Sequence, residues 1–175
     1  MKINEIQVSA EYALGYKVIF CDLWGVIHNG KELFQHSISF LENMKNNNVK
    51  VIFLSNAPRP NYVVEEGLIS KLGLDRELYE CIVTSGDITC NQINKKVHGK
   101  SYFHIGPEKD YDLLERINIQ RKDSTMEFDF ILCTGLLDDE TEQPELYKDQ
   151  FEEFIKKKLK LICANPDEIV YRGDN

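Results

Sequence analysis

The chain has 175 residues, 42% of them hydrophobic and 29% charged, the balance of a globular protein of one domain or two small ones. A net charge of −8 argues against nonspecific nucleic-acid or anionic-membrane binding, which need a basic face, but leaves room for an anionic substrate whose field a cation reverses. Five cysteines (Cys21, Cys81, Cys90, Cys133, Cys163) are scattered and odd in number, without zinc or redox spacing, which points to core residues in a reducing cytoplasm. Met1–Glu5 holds no apolar signal core, and no apolar run is long enough to span a membrane.

In chain order, a short helix is expected around Ile6–Leu14, stopped by Gly15. Lys17–Cys21 then reads as a fully buried strand ending in Asp22. Gly25 follows three residues later and permits a sharp turn or a close backbone approach. On these residues alone Asp22 is equally a functional carboxylate at a sheet edge or the opener of a turn. Phe34, Ile38, Leu41 and Met44 recur at helical spacing, so Leu33–Lys45 is an amphipathic helix, ended by Asn46–Asn48. Val49–Leu54 is a second buried strand, ending in Ser55. Two strands joined by a helix make a βαβ unit, which sets Asp22 and Ser55 side by side at one sheet edge. Pro58 and Pro60 break the chain, and Tyr62–Leu72 is a helix with Gly73 as its C-cap. Tyr79–Thr84 is a third strand, and a helix follows with Ser85 or Asp87 as N-cap.

A second alternation begins near Gly99. Ser101–Ile105 is a strand, Gly106-Pro107 a turn and Asp110–Ile117 a helix. Gln120–Glu127 is polar and expected to be an exposed loop. Phe128–Cys133 is a strand, Asp138–Glu142 a solvated acidic loop, Leu146–Lys158 a helix with a basic C-terminal end, and Leu159–Ala164 a last strand. There is no repeat and no low-complexity segment.

Four motifs stand in order: Asp22-Leu23-Trp24-Gly25-Val26, Leu54-Ser55-Asn56-Ala57-Pro58-Arg59-Pro60, Thr84-Ser85-Gly86 and Ala164-Asn165-Pro166-Asp167. Together they resemble class IIA of the haloacid dehalogenase (HAD) superfamily of phosphoryl-transfer enzymes, in its Asp-Leu-Trp-Gly-Val variant. The resemblance implies an α/β fold: a HAD-like, doubly wound parallel-sheet (Rossmann-like) core, here residues 1–98 and its N-terminal half only, with an inserted α/β cap over residues 99–175.

The resemblance also implies a chemistry. Asp22 maps to the nucleophile that forms an aspartyl-phosphate, a role suited to a group ionised at neutral pH. Mg²⁺ would be held by Asp22 and the backbone carbonyl of Trp24. Ser55 maps to the hydroxyl that binds a phosphoryl oxygen, and Asn56 would add transition-state donors. Gly25, Asn56 and Arg59 are the expected substrate contacts. Asn165 and Asp167 belong to the cap motif, for which a simple Asn-Pro-Asp turn is the favoured reading. The implied substrate is a small phosphorylated metabolite, with Tyr111, Asp112, Asp138 and Asp139 as candidates for specificity by rough location, and a homodimer through the cap is in keeping with the class.

Two departures matter. The superfamily's second motif-one Asp, its general acid, is Trp24 here, and indole cannot exchange a proton at useful pH. His28 is the nearest substitute in sequence. The later Gly-Lys-Pro and Gly-Asp motifs are also missing. Arg172–Asn175 does not replace them, so the sequence reads as truncated after the cap, with an exposed sheet edge expected. The departures leave a second function in view, a non-catalytic binding or interaction protein on a degenerate phosphate-binding scaffold. A flavodoxin-like or response-regulator domain is a third, but it has no use for the layer after Gly99.

Overall fold

The computed structural model describes residues 10–138 and 141–167. Its elements alternate along the chain: α1 (Ala10–Ala13), β1 (Val18–Asp22), α2 (Gln35–Asn46), β2 (Lys50–Ser55), α3 (Asn61–Leu72), β3 (Cys81–Thr84), α4 (Ser85–Asn94), β4 (Ser101–Ile105), α5 (Tyr111–Leu114), β5 (Gln120–Lys122), β6 (Phe130–Cys133), α6 (Lys148–Lys156) and β7 (Lys160–Cys163). Contacts divide the chain into two compact units. Among the described residues the first holds 10–55 and 65–83, and the second holds 56–64, 84–138 and 141–167.

The first unit is built on a three-stranded sheet of order β1-β2-β3, in which β1 and β2 run parallel. Leu41 and Met44 of α2 are fully buried, as are Val51 and Phe53 of β2, so one face of the sheet carries the core. Phe53 packs against Tyr79 with ring centroids 4.8 Å apart. The other face differs from expectation. The apolar run of β1 predicts a strand buried on both sides, yet Val18, Phe20 and Leu54 are exposed, Phe20 at 66%. The register pairs Phe20 with Ile52 and Asp22 with Leu54, which puts these side chains on one face. Among the described residues β1 has a single strand neighbour.

The second unit is doubly wound. Its parallel sheet has the order β5-β4-β6-β7. Tyr102, Phe130 and Leu132 pack with Cys90 and Ile93 of α4 and Leu113 and Leu114 of α5. Ile105 and Ile131, of opposite parity, pack with Phe154 and Phe151 of α6. The chain therefore reverses direction across the sheet between β4 and β6. Helix α5 is one turn long, shorter than the spacing of Tyr111, Leu114 and Ile117 predicts, with a 3₁₀ turn at Glu108–Asp110 before it. The expected exposed loop at Gln120–Glu127 begins instead as edge strand β5, whose main chain pairs with β4 whatever the polarity of its side chains. Of the expected N-terminal helix, residues 6–9 lie outside the described residues, as do Asp139 and Arg172–Asn175.

Candidate active site

Asp22 closes β1, and Ser55 closes β2 one residue beyond its cross-strand partner Leu54. The structure thus brings the predicted acid and hydroxyl together, at the carboxyl edge of two parallel strands, where open α/β sheets bind ligands. Asp22 is exposed. Its Oδ1 accepts from the Leu23 N–H at 2.8 Å, which fixes the carboxylate. The neighbouring Cys21 thiol is pushed up to about 11, first by burial and then by the charge of Asp22, so it is no competing nucleophile.

The loop after Asp22 is tightly folded. The Leu23 carbonyl accepts from the N–H groups of Val26, Ile27 and His28, and the Gly25 N–H donates to the His28 carbonyl at 2.8 Å. Gly25 has φ +76°, a left-handed conformation that a side chain resists. Leu23 and Ile27 anchor the loop in the core. Trp24 lies edge-on to His28, centroids 5.1 Å apart. Its ring rests on Gly30, at φ +85°, where a Cβ would fall 2.6 Å from the indole.

His28, four residues after Trp24, carries acid–base chemistry, and its state is fixed by its contacts. Its Nδ1 accepts from the Gly30 N–H at 3.0 Å, which leaves the proton on Nε2. Burial lowers its pKa, against the opposing pull of Asp22. At neutral pH it is a neutral hydrogen-bond donor, not an imidazolium acid. Sequence reading raised it only as a substitute; its burial and tautomer come from the loop fold.

Asn56 and Arg59 belong to the second unit. The Asn56 amide donates to Asp167 Oδ1 at 2.8 Å, a clasp between residues 111 apart in sequence. The Asp167 N–H in turn donates to Asn165 Oδ1, so the favoured Asn-Pro-Asp turn is present, and it also receives Asn56. Arg59 pairs with Asp112 at 3.6 Å, and its buried Nε has no hydrogen-bond partner among the described residues. In the acidic loop Glu142 accepts from the Tyr147 hydroxyl and the Leu137 N–H, as suits a solvated turn.

Among the described residues no three His, Cys, Asp or Glu side chains gather as a preformed metal cage. Asp22 is nevertheless a hard oxygen donor held by one main-chain hydrogen bond. Mg²⁺ is commonly bound by one or two carboxylates, several waters and substrate phosphate, so this donor set fits a cation that arrives with its substrate.

Residues 19–120 match the family model of haloacid dehalogenase-like hydrolases, and this stretch includes Asp22 and Ser55. None of the curated protein sequences matches. Among solved structures, a haloacid dehalogenase-like hydrolase from Brucella suis 1330 is 35% identical, with a TM-score of 0.86 over 97% of this chain and 64% of its own. A 4-nitrophenylphosphatase from Thermotoga maritima (21% identity, TM-score 0.64, 89% of this chain and 57% of its own) shares the fold. So does NagD from E. coli K-12 (18%, 0.63, 89% and 60%). The chain spans about three fifths of the length of these structures. With more than half of its residues inside the family model, and its carboxylate and hydroxyl set at the edge of a parallel sheet, the chain belongs to the haloacid dehalogenase-like hydrolase family.

Proposed function

We propose that the chain carries the nucleophilic part of a Mg²⁺-dependent phosphatase that acts on a small phosphorylated metabolite in the cytoplasm, as a homodimer, through an aspartyl-phosphate at Asp22. One observation carries the reading: the β1–β2 register that sets Asp22 beside the strand end bearing Ser55. The free carboxylate oxygen of Asp22 attacks phosphorus, and the bond to the leaving oxygen breaks as the new O–P bond forms. The Ser55 hydroxyl donates to a non-bridging oxygen as charge develops there. Water then attacks the acyl-phosphate, which releases phosphate and restores the carboxylate. Mg²⁺, held by Asp22 and the Trp24 carbonyl, would neutralise phosphate charge.

Neither Trp24 nor His28 offers the leaving oxygen a strong acid. Trp24 cannot supply a proton, and neutral His28 offers only a hydrogen bond. Rates should therefore fall steeply as the leaving group becomes more basic. The same observation favours a second reading, phosphate binding without turnover.

The test is Mg²⁺-dependent phosphate release from an activated aryl phosphate, with Asp22→Asn alongside. Activity that drops on the order of 10³-fold or more in the variant supports the nucleophile. Equal rates in the two proteins, with phosphate-analogue binding retained in both, would replace the enzyme by the binding protein.

A further inference from the structure

Two of the five cysteines stand in register. Cys133 is the last residue of β6 and Cys163 the last of β7, and the two are direct cross-strand partners. Paired positions of neighbouring strands point to the same face of the sheet, with their strands about 4.8 Å apart. That spacing lies inside the range of roughly 4.4–6.8 Å over which a disulfide joins two Cα atoms. Side chains on parallel neighbours run side by side, so the sulfurs must approach by about 1 Å to bond. Position in the fold favours this approach: both residues are the last of their paired strands, and β7 is the outermost strand of the sheet among the described residues. No comparable pair exists among the other three. Cys21 and Cys81 lie on β1 and β3, separated by β2, and Cys90 is buried on α4.

We propose that Cys133 and Cys163 form a reversible redox site, closed to an intramolecular disulfide by hydroperoxides. Exposure gives the order of events, since Cys163 is open to solvent and Cys133 half-buried. The Cys163 sulfur, as thiolate, attacks the peroxide O–O bond and takes one oxygen, and the other oxygen leaves as water or an alcohol. The resulting sulfenic acid is attacked by the Cys133 sulfur. The S–O bond breaks, the S–S bond forms, and the oxygen leaves as water with the Cys133 proton. Two thiols and one hydroperoxide give one disulfide, one water and one water or alcohol. Burial, and then the neighbouring Cys163, raise the pKa of Cys133, in keeping with its role as the second thiol to react.

The disulfide has a local consequence. Both thiols now donate to carbonyls two residues on, Cys133 to Gly135 at 3.9 Å and Cys163 to Asn165 at 3.2 Å. Oxidation removes both donors. It thereby loosens the Asn165–Asp167 turn that receives Asn56.

Hydrogen peroxide titration of the full chain tests the proposal, read by thiol counting on the native protein and by non-reducing peptide mapping. The expected result is loss of two of the five thiols, one Cys133–Cys163 cross-link within a single chain, and full recovery with dithiothreitol. Cys133→Ser should stall at a Cys163 sulfenic acid that dimedone traps, whereas wild type should give little adduct. Five thiols remaining, a cross-link that joins other cysteines or two chains, or equal dimedone trapping in wild type and Cys133→Ser would each overturn it. The wild-type arms are decisive even where the variant folds poorly.

Discussion

At Gly30 the chain accepts no side chain without moving Trp24. A Cβ there meets the indole at 2.6 Å, and the backbone has φ +85°. Gly30→Ala should destabilise the protein by about 1–3 kcal/mol, as a lower urea midpoint, since it combines left-handed strain with a clash. His104 gives a pH prediction. Burial, and then the charge of Arg121, lower its pKa from 6.5 to about 4. Over that interval the unfolded chain binds more protons than the folded one. The contribution of His104 to stability is therefore complete above pH 6.5 and is lost as pH falls toward 4. Urea midpoints between pH 7 and 4.5 should fall less steeply for His104→Gln, which removes the titrating ring and retains a partner for Thr134, now 3.0 Å from His104 Nε2. Sequence alone exposed Asp22 and Ser55, because an apolar run that stops in a polar residue marks a strand end. It could not expose the neutrality of His28, which depends on a main-chain N–H aimed at one ring nitrogen.

Helix α4 shows how an element takes its limits from distant residues. Ser85 and Asp87 are both acceptable caps by sequence, yet Thr84 is the cap. Its Oγ1 accepts from the Asp87 N–H at 3.0 Å and donates to Asp87 Oδ2. Asp87 is occupied elsewhere: Oδ1 pairs with Arg116, and Oδ2 accepts from the Asn61 N–H at 3.0 Å. Those partners lie 29 and 26 residues away, beyond the reach of a local pattern. Thr84→Ala should cost about 1–2 kcal/mol of stability in urea titration, and Thr84→Ser much less, since the hydroxyl is kept. Strand β5 escaped notice for a related reason. Gln120, Arg121 and Lys122 carry no apolar signal, and an edge strand needs only its main chain to pair. The carbon-rich faces of both sheets were legible from periodicity; which faces are covered was not, and β1 shows the difference. An apolar run looks the same whether helices cover one side of it or two.

At the scale of the molecule, the exposed Val18, Phe20 and Leu54 form an apolar surface beside a strand edge that has no neighbour among the described residues. Such surfaces favour association. Phe20→Ser should lower self-association in sedimentation velocity and reduce binding of an apolar dye. Its effect on the urea midpoint should be within about 0.5 kcal/mol, because the side chain is already largely in water. A midpoint that falls far below wild type would show that Phe20 is packed in solution. The sequence shows two runs of alternating elements, with a break expected near Gly99, whereas contacts group residues 56–64 and 84–98 with the second unit. The Asn56–Asp167 clasp was not legible, because it joins residues far apart in sequence.

Trp24 is the only tryptophan in the chain, so red-edge excitation reports on one place in the molecule. Its indole stands against His28, two residues after Asp22, in the loop that follows the proposed nucleophile. Protonated imidazole quenches indole emission more strongly than the neutral ring does. With the His28 pKa lowered by burial, the emission should stay constant through neutral pH and dim only on the acid side of 6.5. Trp24 therefore gives this protein a built-in optical probe of its own candidate site, readable without label or substrate.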